Sequence, residues 1–192
     1  MSALDDAPLV EADDRAAWRT WLEAHHATTS GAWLVMWRPR SGRAGLDYEA
    51  AVEEALCFGW IDSTARPVDA DRSRLYFAPR KPRSGWAATN KARLERLIAA
   101  GRMAPAGLAA IERAKANGSW TMLDSVERLE VPEDLAAALD GPSSAAANFA
   151  AFPPGARKAA LTWIAQAQRP ETRAARVRDI AEAAARNVRA RG

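Results

Sequence analysis

Strand-type hydrophobic patterns in this chain stop at Pro79, and only helix-type patterns follow. Ala32 to Arg38 carries apolar residues on both faces, which is typical of a central strand. Trp60 to Arg66 and Arg74 to Pro79 predict two strands joined by PVDADRS, and the alternation of the second is typical of a half-exposed antiparallel strand. We therefore expect an α+β fold, in which a small antiparallel sheet packs with helices and an all-helical C-terminal part follows.

Capping residues and apolar periodicity predict the helices. They run from a cap at Asp13 or Asp14 to about His26, from a cap at Asp47 through Cys57, from Trp86 to Ala100, from Pro105 to Gly118, and, last, from about Glu171 to Arg189. Tyr48 belongs to the apolar stripe of the second helix and Val188 to that of the last, while Glu49 and Glu53 point away towards solvent. We expect an α+β domain at 1–125 and a helical region at 126–192 packed on it.

Composition is that of an ordinary globular protein, with 192 residues, 48% of them hydrophobic and 27% charged. Cys57 is the only cysteine, so no internal disulfide is possible. The acidic start MSALDDAPLVEADD lacks the cationic and apolar parts of a secretory signal, and no apolar run approaches the roughly 20 residues that span a bilayer. We expect a cytoplasmic protein without membrane insertion.

Positive charge is concentrated in two blocks, although the net charge is only +3. Residues 66–102 hold ten Arg or Lys against three acids, and residues 157–191 hold nine against three. Residues 1–30 instead carry six acids against two bases. Such blocks attract nucleic acid or an acidic ligand if they are exposed, but the acidic segments can equally neutralise them inside the fold.

A basic segment lies between the hairpin and the third predicted helix. Arg80, Lys81 and Arg83 follow Pro79, and Ser84 is the expected N-cap of a helix whose first-turn N–H groups favour an anion. We take this elbow and its expected neighbours as a candidate ligand-binding site, comprising Trp60, Asp62, Arg80, Arg83, Ser84, Trp86, Asn90 and Arg173. A small anionic ligand or a protein partner is the expected occupant.

Internal pairing is the competing interpretation of the same residues. Arg80 and Arg83 can pair with Asp62 and a nearby glutamate while Asn90 bonds the backbone. Tryptophans such as Trp60 and Trp86 are mostly core residues. Arg173 falls within the apolar stripe of the last helix, where it needs either a carboxylate or a bound anion as compensation. The binding site is therefore one of two concrete hypotheses.

Four segments of the chain carry a family resemblance: ALCFGWIDS (55–63), APRKPRSGWAATN (78–90), LIAAGRMAPAGLAAIERAKANGSW (97–120) and WIAQAQRPETRAARV (163–177). Together they resemble the bacteriocin-protection, or YdeI/OmpD-associated, family over most of the chain. The resemblance implies a bacterial cytoplasmic protein linked to tolerance of bacteriocins or cationic antimicrobial peptides. It implies no known catalytic reaction.

Motifs of established chemistry are missing from the sequence. It contains no GxGxxG, GxxxxGK[ST] or GxSxG, and His25 and His26 lack the spacing of a zinc site. We therefore expect no cofactor, no metal and no catalytic residue. The favoured function is a non-catalytic stress or tolerance protein that binds an anion or a partner. The alternatives are a nucleic-acid-binding protein that uses the two basic blocks and an uncharacterised enzyme that uses Asp62 on an anionic substrate.

Overall fold

The computed structural model describes residues 4–141 and 144–189. One sheet contains β1 (Leu9–Glu11), β2 (Ala32–Trp37), β3 (Trp60–Pro67) and β4 (Arg72–Pro79). The helices are α1 (Arg15–His25), α2 (Tyr48–Cys57), α3 (Ala88–Ala99), α4 (Pro105–Ala116), α5 (Asp124–Glu127), α6 (Glu133–Leu139), α7 (Ala145–Ala151), α8 (Pro154–Ala165) and α9 (Pro170–Ala185), with a 3-10 turn at Pro39–Ser41. The α+β class predicted from the sequence is confirmed, and within the described ranges every strand ends at or before Pro79.

The sheet has the strand order β1-β2-β4-β3 and is mixed. β4 lies between β2 and β3 and pairs antiparallel with both, which confirms the predicted hairpin. The sequence missed β1, which pairs in parallel with β2 through Leu9 opposite Trp33 and Glu11 opposite Val35. β1 was missed because three residues are too few to show the alternation of apolar and polar residues that marks a strand. Its parallel partner β2 also lies far away in sequence.

The chain divides into two compact units, each with its own core. The first comprises residues 1–83 and 89–117 and contains the sheet with α1, α2, α4 and nearly all of α3. The second comprises residues 84–88 and 118–192 and contains α5 to α9. The domain boundary expected between residues 125 and 126 stays a prediction, because a compact unit is not by itself an independently folding domain.

Aromatic side chains form much of the core of the first unit. Asp14 caps α1 by accepting a hydrogen bond from Ala17 N at 2.8 Å. Trp18 on this helix is completely buried, with its ring 5.4 Å from that of Phe77 on the sheet. Trp21 stacks on Trp18 at 5.2 Å, which ties the apolar side of α1 together.

The second unit is a helical bundle around apolar side chains. Its core comprises Leu123, Val126, Leu135, Leu139, Ala145, Phe149, Ala160, Leu161, Ile164, Val177, Ile180, Ala181 and Ala184. α9 ends at Ala185, so Val188 lies beyond the helix and is exposed, contrary to the stripe predicted from the sequence. None of the helices in the described residues has both the length and the apolarity needed to cross a membrane.

Candidate functional site

A recess of about 400 Å³ lies beside the sheet of the first unit. Strand register places Met36 opposite Ser73 and Ala65 opposite Leu75, so these four side chains share one face. The chain between β2 and α2 forms the rest of the wall, from Trp37 through Leu46 to Tyr48. The volume lies within the range of about 300 to 1,000 Å³ typical of small-molecule sites, and the lining is mostly apolar.

Two arginines also line this recess. Arg38 follows directly after β2, and its backbone N–H donates to Asp71 O at 2.8 Å. Arg43 lies over the Trp37 ring, with its Cζ 4.4 Å from the ring centre. In the part of the chain that the structure describes, neither side chain forms an ion pair with a carboxylate. The recess therefore combines an apolar lining with unneutralised positive charge.

Local backbone geometry forms this wall. Gly45 packs so closely against Trp37 that a Cβ at this position would lie 3.0 Å from Trp37 Cδ1. Asp47 is the acidic group of the lining, and one of its oxygens is already committed to capping α2, because Oδ1 accepts from Ala50 N at 2.7 Å. Two cations against one partly committed carboxylate make the recess attractive to an anion.

Tyr48 connects the recess to a second polar group of side chains. It lines the recess, and its hydroxyl donates to Asp62 Oδ2 at 3.0 Å. Burial raises the pKa of Tyr48, and the charge and hydrogen bond of Asp62 raise it further. The sequence placed Tyr48 in an apolar stripe, but this first residue of α2 is 49% exposed.

Several predicted site residues do meet around this tyrosine. Arg80 lies close enough to Asp62 to feel its charge, and burial lowers the pKa of Arg80 to about 10 despite that attraction. Asn90 Oδ1 accepts a hydrogen bond from Arg93 Nη1 at 2.8 Å, and Arg93 in turn feels the charges of Asp62 and Tyr48. The first unit therefore brings Asp62, Arg80 and Asn90 into one polar neighbourhood that also contains Arg93.

The remaining predicted site residues lie apart from this polar neighbourhood or are held by other contacts. Trp60 is 1% exposed, and its Nε1 donates to His26 O at 3.3 Å. Arg83 is exposed. In the second unit, Trp86 is buried with its ring 5.3 Å from that of Trp120, and Arg173 pairs with Asp134 at 2.7 Å. Arg173 thus obtains its compensation from a carboxylate, one of the two outcomes expected from the sequence.

The expected capping role of Ser84 is wrong. α3 begins at Ala88, four residues after Ser84, so the anion-favouring first turn does not directly follow the basic elbow. Glu127 instead accepts a hydrogen bond from the backbone N–H of Ala88 at 3.1 Å. A distant carboxylate replaces the local cap, which a local sequence pattern does not reveal.

A buried carboxylate, missed by the sequence reasoning, anchors the arginines of the first unit. Glu54 is 0% exposed and accepts hydrogen bonds from Arg15 at 2.5 Å, from Arg19 at 2.9 Å and from Arg102. Its neighbour Glu53, expected in solvent, pairs with Arg15 at 2.8 Å and is 13% exposed. The sequence does contain a signal for this burial, because Glu54 lies directly beside the apolar positions of α2.

Several arginines of the basic block at 66–102 are also neutralised by acids of the first unit. Arg72, Arg93, Arg96 and Arg102 each pair with an acid of the first unit. Among the residues that the structure describes, no group of three or more His, Cys, Asp or Glu side chains is arranged to hold a metal ion. The recess, in contrast, has Arg38 and Arg43 without a carboxylate partner among the described residues.

Two models of known protein families match the chain, and they cover separate stretches of it. A model described as Domain of unknown function (DUF8412) matches residues 10–110, which is 101 of 192 residues. A model described as Bacteriocin-protection, YdeI or OmpD-Associated matches residues 128–187. Searches among curated proteins and among solved structures gave no match.

The resemblance stated from the sequence is confirmed in the C-terminal part, where WIAQAQRPETRAARV lies within the match at 128–187. The matched stretch is shorter than expected, since the segments at 55–63 and 78–90 fall in the other model. The chain belongs to the family of domains of unknown function (DUF8412) that matches residues 10–110, and its residues 128–187 are similar to the bacteriocin-protection, YdeI or OmpD-associated family.

Proposed function

We propose that this chain is a non-catalytic bacterial stress-protection protein whose first unit binds a small organic anion in the recess beside the sheet. The family match at 128–187 supports a role in protection against bacteriocins. Tolerance of cationic antimicrobial peptides rests on the family resemblance alone. A cytoplasmic location is part of the same proposal and rests on the family resemblance. Protein partners and catalysis at Asp62 are not needed for it.

The observation that carries the proposal is the pairing of Arg38 and Arg43 with an apolar recess of about 400 Å³. An arginine without a carboxylate partner binds a carboxylate or phosphate through charge-assisted, often bidentate, hydrogen bonds. Trp37 and Tyr48 supply aromatic surface for the body of the same ligand. The ligand class is therefore a carboxylate or phosphate with an apolar, aromatic body.

The elbow proposed from the sequence remains a second possible location for an anion. Arg80 is already balanced in part by Asp62, and its pKa is lowered by burial, so an anion would have to compete with an internal carboxylate. Arg83 is the exposed member of the elbow. The two locations make different predictions, because each depends on its own arginine.

Isothermal titration calorimetry with naphthalene-2-carboxylate, and with its neutral amide as a matched probe, tests the proposal. The carboxylate binds the full chain and the amide binds at least tenfold more weakly. Arg38→Gln weakens carboxylate binding by roughly 10-fold to 100-fold, since a charged hydrogen-bond pair contributes about 1.5 to 3 kcal/mol. Arg113→Gln, which removes an exposed charge on α4, leaves the affinity unchanged.

Three results contradict small-anion binding in the recess. Equal affinity for the carboxylate and its amide removes the role of charge. Loss of binding in Arg83→Gln with full retention in Arg38→Gln moves the site to the elbow. Absence of binding at millimolar concentrations of every aromatic and aliphatic carboxylate tried rejects small-anion binding as the function of the first unit.

A further inference from the structure

One face of the sheet in the first unit is covered by arginines that lie on tryptophans. Register places Arg74 opposite Val35 and Arg66 opposite Arg74, so their side chains share the face of Trp33. The Arg74 and Arg66 guanidinium carbons lie 4.6 Å and 5.2 Å from the centre of the Trp33 ring. We call the surface formed by Trp33, Trp37, Arg66, Arg72 and Arg74 the basic sheet face.

Arg74, at the centre of this face, lacks a carboxylate. It forms no ion pair within residues 4–141 and 144–189, and its buried Nε has no hydrogen-bond acceptor there. A stacked indole attracts a guanidinium but accepts no conventional hydrogen bond from it. The basic sheet face therefore retains a capacity for an incoming anionic group.

An acidic segment of the same chain, residues 4–11, already lies along the basic sheet face. Trp33 Nε1 donates to Leu4 O at 2.7 Å, and Trp33 N donates to Pro8 O at 2.9 Å. Arg66 Nη1 lies 3.5 Å from Asp5 Oδ1, and Arg72 Nη1 lies 3.2 Å from Glu11 Oε1. The basic sheet face therefore accommodates an extended peptide segment with acidic side chains.

The resident segment is anchored over a short length, with Val10 as its buried residue. Its strand β1 pairs with β2 over three residues only, and Leu9 within it is 54% exposed. The Asp5 and Glu11 side chains are 53% and 66% exposed, and ion pairs of this kind contribute little to stability. Such a segment opens at a small fraction of the cost of unfolding the whole unit.

We propose that the basic sheet face is a docking site for an extended acidic peptide segment of a partner protein, for which residues 4–11 are the intramolecular competitor. The partner segment adds to β2 as an edge strand and places its carboxylates on Arg66, Arg72 and Arg74. This site goes beyond the proposed function, and of the recess lining it shares only Trp37.

Residues 4–11 compete with an added peptide for the basic sheet face, and this competition determines the measured peptide affinity. A tethered segment acts at an effective concentration in the millimolar range, so a free peptide sees only the fraction of molecules in which the segment has opened. Weakening the resident segment must therefore tighten the binding of an added peptide. Neutralising the arginines must abolish it, and added salt must weaken it.

Fluorescence anisotropy with a labelled peptide of sequence LDDAPLVEA, which is residues 4–12, tests the proposal on the full chain. Asp5→Asn combined with Glu11→Gln binds this peptide about fivefold more tightly than the unaltered chain does. Adding Arg66→Gln and Arg74→Gln to that variant weakens binding at least tenfold. Glu95→Gln combined with Asp179→Asn, an equal charge change at exposed positions elsewhere, behaves as the unaltered chain.

Each other outcome overturns the proposal. Equal peptide affinity in the unaltered chain and the Asp5→Asn, Glu11→Gln variant rejects competition, and absence of binding to both rejects the docking site. A concentration-dependent dimer of that variant in light scattering assigns the face to segment exchange between two copies instead. Circular dichroism verifies folding, and Arg66→Gln alone replaces the double arginine variant if the latter unfolds.

Discussion

Glu54→Gln removes the buried charge that three arginines of the first unit share, while it preserves the shape of the side chain. Deleting one partner of a buried ion pair costs about 3 to 5 kcal/mol. The Arg15, Arg19 and Arg102 side chains are 33%, 29% and 35% exposed, so water still solvates part of each cation after the change. We therefore expect the lower end of that range, about 3 kcal/mol of lost stability in the first unit.

Cys57 provides a local reporter for this loss. It is the only cysteine of the chain, it is buried, and it lies on the same helix as Glu54. Burial raises the pKa of the Cys57 thiol, as does the neighbouring charge of Glu54, so the thiol of the closed state is protonated and unreactive. Labelling with a thiol reagent under native conditions therefore measures how often the first unit opens.

A loss of about 3 kcal/mol corresponds to roughly 100-fold faster labelling of Cys57 in Glu54→Gln, since about 1.4 kcal/mol is a factor of ten. Glu49→Gln is the matched control on the same helix. Its side chain is 49% exposed, and surface ion pairs contribute at most about 1 kcal/mol, so labelling accelerates less than about fivefold. Equal acceleration in the two variants refutes the idea that the buried charge organises this unit.

Three further perturbations follow from the same contacts. Arg173→Ala raises the pKa of Asp134 in an NMR titration, because hydrogen bonds from Arg173 hold that pKa below its ordinary value. The pair stabilises the second unit above the unfolded-state pKa of the carboxyl, and this contribution is lost as pH falls through the lowered folded-state pKa. Asp62→Asn lowers the pKa of Tyr48, followed by tyrosinate absorption, because it removes one of the charges that raise it. Gly107→Ala lowers the denaturant midpoint by an amount equivalent to about 1 to 3 kcal/mol, since overpacking against rigid backbone is destabilising. Its Cβ would lie 2.2 Å from the carbonyl oxygen of the last residue of α2.

Contrary results are equally specific for these three. An unchanged Asp134 titration in Arg173→Ala places the ion pair outside the solution structure, and an unchanged Tyr48 titration in Asp62→Asn does the same for that hydrogen bond. Gly155→Ala is the control for Gly107→Ala, since a Cβ at Gly155 meets nothing within 4 Å. Equal stability of the two alanine variants contradicts the packing of α4 against α2.

Local signals in the sequence predicted most of the fold correctly. Caps at Asp14 and Asp47 and the alternation before Pro79 located α1, α2 and the hairpin, because each depends on residues close together in the chain. The start of α3 was misplaced because Glu127, 39 residues away, caps its first turn. Parallel pairing of β1 is likewise a distant interaction that three residues cannot announce.

The candidate site was harder to predict than the fold. The sequence grouped Asp62, Arg80 and Asn90 in one region, and they do lie near one another, since they follow each other around the hairpin and α3. Their role in ligand binding stays a prediction. It did not identify Arg38 and Arg43, because an unpaired arginine is recognised only when all acids within reach are known. Glu54 was missed for the same reason, as its partners come from α1 and from the loop after α3.

A crystal structure of the full chain grown with naphthalene-2-carboxylate tests the central claim most directly. The account predicts the naphthalene ring in the recess between Trp37 and Tyr48, with the carboxylate within hydrogen-bond distance of Arg38. Ligand density at Arg83 or elsewhere on the surface, with the recess unchanged, contradicts the claim that the first unit binds its anion beside the sheet.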